Sequence, residues 1–129
     1  MQSEFARRRR QLMRLMGRDA IAILPAAPPR TRNADNEYNY RQDSDFHYLT
    51  GFGEPEAVAV LAPERDPADY ILFVRDRNPE REIWDGKRAG TEGAKSAYAA
   101  ADAFPITDID EILPGLLEKR SPVYYTMGR

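Results

Sequence analysis

The absence of cysteine and the scarcity of histidine set the first limits on the chemistry of this chain. With no cysteine and one histidine in 129 residues, disulfides, thiolate nucleophiles and cysteine–histidine zinc clusters are excluded. No serine lies in a recognisable nucleophile elbow, and no glycine-rich loop opens a predicted helix as phosphate binding requires. We therefore expect an isolated chain that is catalytically inactive and holds no metal or other cofactor.

The chain also lacks an excess of one charge and any long apolar run. Its 19 lysines and arginines nearly balance 21 aspartates and glutamates, so no overall field attracts nucleic acid or an anionic membrane. No apolar run approaches the roughly 20 residues of a membrane span, and the N-terminus lacks the apolar segment of a signal peptide. We expect no nucleic acid partner, no membrane partner and a cytoplasmic location.

What is present fits one globular domain, since 129 residues with 42% hydrophobic content can bury a modest core. The order of predicted elements indicates an α/β domain with a mixed central β-sheet flanked by helices. The predicted strands are "DAIAILPAA", "EAVAVLAP", "DYILFVRD" and "REIWDG", with a strand-like stretch at the start of "FPITDIDEILPGLLEKR" and another strand that starts in "SPVYYTMGR". The predicted helices are "SEFARRRRQLMRLMG", capped by Ser3 and ended by Gly17; "TEGAKSAYAA"; and one begun by Asp108, in which Pro114 is tolerable near the first turn or at a kink.

The first predicted helix has one apolar face and one rich in arginine. Phe5, Leu12 and Met16 recur on the apolar face at helical spacing. The run "ARRRRQLMR" could form a nucleic-acid patch, but no aromatic side chains are interleaved with it. A solvated or subunit-facing surface is the favoured interpretation.

The stretch "RQDSDFHYLTGF" contains an apparent metal site, because Asp43, Asp45 and His47 occupy alternate positions. Asp43 or Ser44 can cap a short helix here that ends at Gly51. On a helix, residues two apart point about 200° away from each other, so the three ligands disperse. We therefore expect an exposed histidine and no metal site, with Phe46, Leu49 and Phe52 in the core.

A long polar segment, "PAAPPRTRNADNEYNYRQ", precedes this helix and is too rich in proline, asparagine and charge for regular structure. Long ordered loops in small domains are often functional, although a plain surface connection is an equally good interpretation.

These residues together carry a family resemblance. The run "ADNEYNYRQDSDFHYLTGFGEPEAVAVLAP", followed by "EIWDGKRAG", resembles the N-terminal domain of the Xaa-Pro aminopeptidases, or aminopeptidase P, in the creatinase and prolidase superfamily. The opening helix and the late "ITDIDEILPGLLEKRSPVYY" also match that domain, so the resemblance spans the chain. It implies a creatinase-type N-terminal fold with a ribonuclease H-like motif.

The resemblance implies that residues 1–129 are one domain, without the C-terminal metal-binding catalytic domain. Family members remove an N-terminal residue that precedes proline. They use two divalent metals, usually manganese, held by two Asp, one His and two Glu in a C-terminal "pita-bread" domain. The implied partners are that catalytic domain, further copies in a homo-oligomeric dimer or tetramer, and a peptide with proline second. In related enzymes the N-terminal domain also closes the mouth of the active site.

Five residues match family positions near the substrate groove or a subunit contact: Asp35, Tyr38, Arg41, Trp84 and Arg88. A lone tryptophan beside charges is typical of interfaces, and arginine can bind a carboxylate through two parallel bonds. The alternatives are a core anchor for Trp84, loop packing for Tyr38 and a structural salt bridge for Arg41.

Two other functions stay open. Aminopeptidase-like heads in eukaryotic histone chaperones are non-catalytic interaction surfaces, so the chain could be a self-standing module that binds histone or other peptides. It also resembles, less closely, prolidase and creatinase, whose specificity is set by the catalytic domain.

Overall fold

A five-stranded sheet forms the centre of the molecule, seen here in a computed structural model that describes residues 2–28 and 41–125. Its strands are β1 (Ile21–Pro25), β2 (Val58–Leu61), β3 (Tyr70–Val74), β4 (Asp102–Pro105) and β5 (Val123–Tyr125). Their order across the sheet is β4-β3-β2-β1-β5. The pairs β1–β2 and β2–β3 are antiparallel, whereas β3–β4 and β1–β5 are parallel, which confirms the predicted mixed sheet.

Both faces of the sheet are covered by helices. The helices of the described residues are α1 (Gln2–Met16), α2 (Ser44–Thr50), α3 (Pro79–Asp85), α4 (Gly90–Tyr98) and α5 (Ile109–Leu117), with a short 3-10 helix, Ile106–Asp108, before α5. Side chains of α1, α2 and α4 pack in one core, and side chains of α5 pack in the other. Because it is covered on both faces, the interior strand β3, between β4 and β2, is buried along its whole length.

Helix α2 forms as its sequence predicts. Asp43 caps it, accepting a hydrogen bond from the backbone N–H of Phe46, and Gly51 ends it in the left-handed conformation at φ 70°. Phe46, Leu49 and Phe52 are buried, as predicted. The glycine also allows a close approach, because a Cβ there would lie 2.6 Å from Cε2 of Phe5 on α1. Helices α1 and α2 therefore meet closely at this glycine.

The structure corrects several sequence predictions. The stretch "REIWDG" is not a strand: it lies in α3, because Asn78 caps a helix there and Pro79 occupies its first turn. Ser3 is not the cap of α1, which already includes Gln2. Asp108 precedes α5 as predicted but makes no side-chain capping bond.

The other predicted helices and strands are present, although their first and last residues differ from those predicted. Gly17 follows α1 with φ 93°, and Leu12 and Met16 pack against the core while Phe5 meets α2. Pro114 lies inside α5, beyond its first turn, and the apolar side chains of this helix pack in the second core: Ile109, Ile112, Leu113, Leu116 and Leu117.

Strand β5 forms an edge of the sheet and is exposed. Tyr124 is 48% exposed and, with Leu12, Leu15, Met16 and Leu24, borders an apolar groove of about 330 Å³ between α1 and the β1–β5 pair. Leu15 is 85% exposed at its rim. Within residues 2–28 and 41–125, no helix is long and apolar enough to span a bilayer.

Candidate functional site

One end of the sheet gathers the polar side chains of the candidate site. Here β1 and β3 end and β2 begins, since Pro25 pairs with Val58 and Val58 pairs with Phe73. The chain leaves β3 into residues 77–89, which we call the α3 segment. The turn before α2 arrives at the same end. The site is therefore built by connections between strands and helices, where functional side chains are common.

Gln42 joins three of these connections through its side-chain amide. Its Oε1 accepts hydrogen bonds from the backbone N–H of Ala27 at 2.8 Å and of Asp43 at 2.9 Å. Its Nε2 donates to the carbonyls of Phe52 at 3.2 Å and Glu54 at 2.9 Å. Gln42 thereby fixes the end of β1, the start of α2 and the approach to β2 relative to one another.

Glu54 carries this network to the α3 segment. Its Oε2 accepts a hydrogen bond from the backbone N–H of Ala89 at 2.8 Å, and its Oε1 lies 3.3 Å from Nη2 of Arg75. Both side chains are largely buried, at 18% exposure for Glu54 and 12% for Arg75. A carboxylate removed from water needs such charged and backbone donors, so the contact also positions the end of the α3 segment.

The side chain of Glu82 joins the two ends of the α3 segment. One carboxylate oxygen accepts from the backbone N–H of Asn78 at 2.7 Å and from Nε of Arg77 at 3.0 Å. The other accepts from the backbone N–H of Arg88 at 3.2 Å. The hydrogen bond from the Arg77 side chain is the main cause that lowers the pKa of Glu82 to about 2, and the two backbone donors act in the same direction. The carboxylate is therefore ionised at neutral pH and joins the residues before and after α3.

The α3 segment presents two apolar side chains to solvent. Ile83 is 78% exposed and Trp84 is 85% exposed. The interpretation of Trp84 as a core anchor is therefore wrong. The reason is that "REIWDG" is not a strand of the sheet: Asn78 caps α3 there, and the helix leaves Ile83 and Trp84 in solvent.

Arg88, the second candidate on this segment, is half-buried. Its Nη1 donates to the carbonyl of Asp76 at 3.1 Å, and its backbone N–H donates to Glu82. Both the side chain and the backbone of Arg88 therefore stabilise the segment. The structure thus places Trp84 and Arg88 in the α3 segment, whose two ends are joined by Glu82.

The three remaining candidates precede α2 in the sequence. Arg41 is exposed beside Gln42 and borders a polar depression with Arg8, Ser44, His47 and Tyr48. Asp35 and Tyr38 lie outside the described residues, as does most of the long polar segment that contains them.

The arginine run on α1 is only partly a surface. Arg9 is 4% exposed, donates to the carbonyl of Leu49 at 2.8 Å, and lies over the Tyr70 ring with 3.9 Å between the guanidinium carbon and the ring centroid. Arg8 donates to the carbonyl of Tyr48 and lies 4.3 Å from that ring. These two side chains hold α1 on the carboxyl end of α2. The expectation of a fully solvated or subunit-facing arginine face is therefore wrong at Arg9.

The apparent metal site in "DSDFH" disperses as the helix geometry predicts. Asp43 is the cap of α2, Asp45 is exposed, and His47 is exposed with its ring edge-on to Phe5 at 6.0 Å. Among the residues that the structure describes, no group of three or more His, Cys, Asp or Glu side chains could hold a metal ion.

Comparison with known proteins gives the family. The family model described as "Aminopeptidase P, N-terminal domain" matches residues 5–124. The chain belongs to this family. The Xaa-Pro aminopeptidase of Escherichia coli (strain K12) is 43% identical over 126 residues, which are 97% of this chain and 29% of that protein. The chain therefore spans less than a third of that relative.

Solved structures agree with the aminopeptidase P fold. The structure of Pseudomonas aeruginosa aminopeptidase PepP has 62% sequence identity and a TM-score of 0.93, and the match covers 99% of this chain and 29% of that one. Escherichia coli aminopeptidase P with the inhibitor Pro-Leu has 42% identity and a TM-score of 0.89, covering 100% and 30%. The predicted family and fold class are both confirmed.

For this aminopeptidase P N-terminal domain, sequence reasoning missed the residues that build the site. Gln42 and Glu54 bond to backbone groups 12 and 35 residues away, and Glu82 accepts from one that lies six residues away, after the end of α3. No local sequence pattern predicts these hydrogen bonds. A signal did exist for α3: "NP" before "EREIW" is a helix start, with an asparagine cap and proline in the first turn.

Proposed function

We propose that this domain is the non-catalytic N-terminal part of a manganese-dependent Xaa-Pro aminopeptidase, and that it contributes to oligomer contacts and to gating of the substrate groove. The observation that carries the proposal is the extent of the match. The N-terminal family model covers residues 5–124, while the chain spans 29% of the Escherichia coli Xaa-Pro aminopeptidase. The remaining length of such a relative can accommodate a catalytic domain.

The α3 segment supports a role at the substrate groove. Trp84 is an exposed aromatic side chain on an element held by buried carboxylates, which is the arrangement expected of a contact residue. Its indole offers an apolar face to a proline ring, and Ile83 extends that surface. Arg41 is proposed to bind a carboxylate, and Arg88 to support Trp84. For Asp35 and Tyr38 the same groove or subunit role remains a prediction.

The apolar groove beside β5 supports a second contact. Leu15 is 85% exposed and Tyr124 is 48% exposed, and such contiguous apolar surface is typical of contacts with another domain or subunit. We propose that this face and the α3 segment together contact the catalytic domain and neighbouring subunits.

The metals belong to the proposed catalytic domain. Since the described part of this chain offers no group of metal ligands, the residues present do not fit a two-metal site. Two metals supply a polarised carbonyl and a hydroxide in such hydrolases. The proposed contribution of this chain is to bind and orient the peptide and to limit which N-termini enter.

The interpretation as a self-standing histone-binding or peptide-binding module loses one of its supports. The arginine run of α1 is the feature of the sequence that favours such a module, but Arg9 is buried and Arg8 lies on the Tyr48 ring. A test of this alternative is whether a histone tail peptide binds the isolated chain at physiological salt; we expect no binding.

A chimera tests the leading proposal. This chain would replace the matched part of Pseudomonas aeruginosa aminopeptidase PepP, to which it is 62% identical. The chimera is expected to cleave Xaa-Pro peptides with manganese, and the isolated chain is not. Trp84→Ala in the chimera should raise KM about tenfold, the effect of removing one important contact residue. A folded, metal-loaded but inactive chimera contradicts the proposal, as does turnover by a repurified, metal-stripped isolated chain.

A further inference from the structure

We propose that Glu82 is a positioning residue for Trp84, because its carboxylate fixes the α3 segment in the shape that presents the indole. The inference rests on the proposed function insofar as Trp84 contacts the peptide. It adds a residue that touches no substrate and acts through hydrogen bonds to the backbone on either side of α3.

The contacts of Glu82 join both ends of the segment. Its side chain is 7% exposed, although it lies on the same short helix as the exposed Trp84. Its donors are Arg77 and Asn78 before the helix and Arg88 after it. One carboxylate therefore ties together backbone groups ten residues apart, at 78 and 88.

Trp84 cannot be fixed by its own packing. With 85% of its surface exposed, its indole buries little area against the domain. The helix that carries it has only seven residues, which is too short to be stable in water without other contacts. The order of Trp84 must therefore come from the residues that hold α3.

The surroundings of Glu82 leave it little freedom. Arg77, which donates to it, is packed against Gly90, where an added Cβ would lie 2.7 Å from Cγ of the arginine. Ala89, the next residue after Arg88, is held by Glu54 at 2.8 Å. The bonds of Glu82 are thus anchored to the sheet end through Glu54.

The donor set requires a carboxylate at this position. Each of the three groups around Glu82 offers an N–H, and a carboxylate is acceptor-only whereas glutamine carries an NH₂ donor. In Glu82→Gln that NH₂ would face an N–H group, so at least one bond is lost. Glu80 is a matched control, because it lies exposed on the same helix.

The first test uses the isolated chain, in which Trp84 is the single tryptophan. Time-resolved fluorescence anisotropy reports local motion of the indole. We expect a larger fast-decaying component in Glu82→Gln, a still larger one in Glu82→Ala, and no change in Glu80→Gln. Far-UV circular dichroism verifies that each variant is folded. Unchanged anisotropy in a folded Glu82→Gln protein overturns the proposal.

The second test is a double-mutant cycle in the chimera with PepP. If Glu82 acts through Trp84, Glu82→Gln should raise KM at least about threefold with a smaller change in kcat, and should have no further effect once Trp84 is alanine. Additive effects on KM overturn the positioning role. If Trp84→Ala leaves KM unchanged, the proposed contact of Trp84 with substrate fails, while the anisotropy of the isolated chain still decides whether Glu82 fixes the indole.

Discussion

The core around α2 and the α3 segment are held by different forces. In the core, Phe46 and Phe52 are fully buried, and the Phe52 ring lies 4.9 Å from that of Tyr98 in an edge-to-face contact. The α3 segment is held mainly by two carboxylates, Glu54 and Glu82, bonded to backbone N–H groups and arginines. The core uses its apolar side chains for stability, whereas the segment leaves its apolar side chains exposed.

This difference shows how a small domain can present an exposed tryptophan in a defined place. When a short helix is held in place by burying its apolar side chains, those side chains are not available to a binding partner. Because hydrogen bonds to Glu82 and Glu54 hold α3, Ile83 and Trp84 remain available for binding. Substitutions in the core should therefore lower stability according to the side-chain volume they remove. In the α3 segment, order should be lost when the charge of a carboxylate is removed.

The largest expected loss of stability follows from a substitution in the core. Phe46→Ala removes a fully buried ring that packs edge-to-face on Phe52, and should lower the free energy of unfolding by about 3–5 kcal/mol. Urea unfolding followed by circular dichroism measures it. Leu15→Ala is the control, since a side chain 85% exposed should change stability by less than about 0.5 kcal/mol. Equal losses in the two variants would refute the assignment of the core.

The next effect concerns the joint between α1 and α2. Arg9→Ala leaves the carbonyl of Leu49 without its buried donor and removes the cation–π contact with Tyr70, so we expect a loss of about 1–3 kcal/mol. Arg10→Ala, at the exposed neighbouring position, should have little effect. If both variants unfold at the same urea concentration as the parent, Arg9 is not the structural residue described above.

A smaller loss is expected at Gly51. Alanine there must adopt φ 70° and places its Cβ 2.6 Å from Phe5, which should cost about 1–2 kcal/mol if the flexible ring can move aside. Gly53→Ala, where a Cβ meets nothing within 4 Å, is the matched control. The difference in thermal midpoint between the two variants measures the closeness of α1 to α2, and no difference would contradict it.

In the α3 segment, the contribution of Glu82 to the free energy of unfolding is expected to depend on pH. The pKa of Glu82 is lowered from 4.5 to about 2, chiefly by the hydrogen bond from Arg77, so the unfolded chain binds this proton more readily than the folded one. Its contribution to stability is complete above about pH 4.5 and falls as the pH drops through about 2. Glu82→Gln should remove that part of the acid dependence in urea titrations, and Glu80→Gln should retain it. An unchanged profile in Glu82→Gln would contradict the assignment.

The smallest effect on stability is expected at Trp84. Because its indole is 85% exposed, Trp84→Ala should change the free energy of unfolding by less than about 0.5 kcal/mol. The control is the same substitution at Phe46, which should be strongly destabilising. A large loss on removing Trp84 would mean that the α3 segment is held by burial after all, and the contrast with the core would disappear.

Much of the fold could be predicted because its signals are local. Asp43, Asp45 and Gly51 define α2 through capping and a left-handed end, and apolar runs of four or five residues define β1, β2 and β3. The stretch "REIWDG" does not reveal its own period, because its two apolar residues, Ile83 and Trp84, are adjacent; the helix start at Asn78 decides for a helix.

The candidate site was only partly predictable. The family resemblance singles out Trp84 and Arg88, and the structure places both in the α3 segment. The exposure of Trp84 and the burial of Arg9 could not be read from the sequence, because both depend on which neighbours cover a position. Within the arginine run, one residue faces Tyr70 and Leu49 while its neighbour faces solvent, and composition does not distinguish them.

The sequence by itself determined the family, the α/β class, the limits of α2 and the dispersal of its apparent metal ligands. These depend on local backbone preferences, on capping and on motifs that are contiguous in the chain. Only the tertiary structure decided that Gln42, Glu54 and Glu82 build the site end and that Trp84 is left exposed. The physical reason is that the hydrogen-bond partners of a buried carboxylate or amide are backbone groups that folding brings near it. The sequence alone does not show which backbone groups these are.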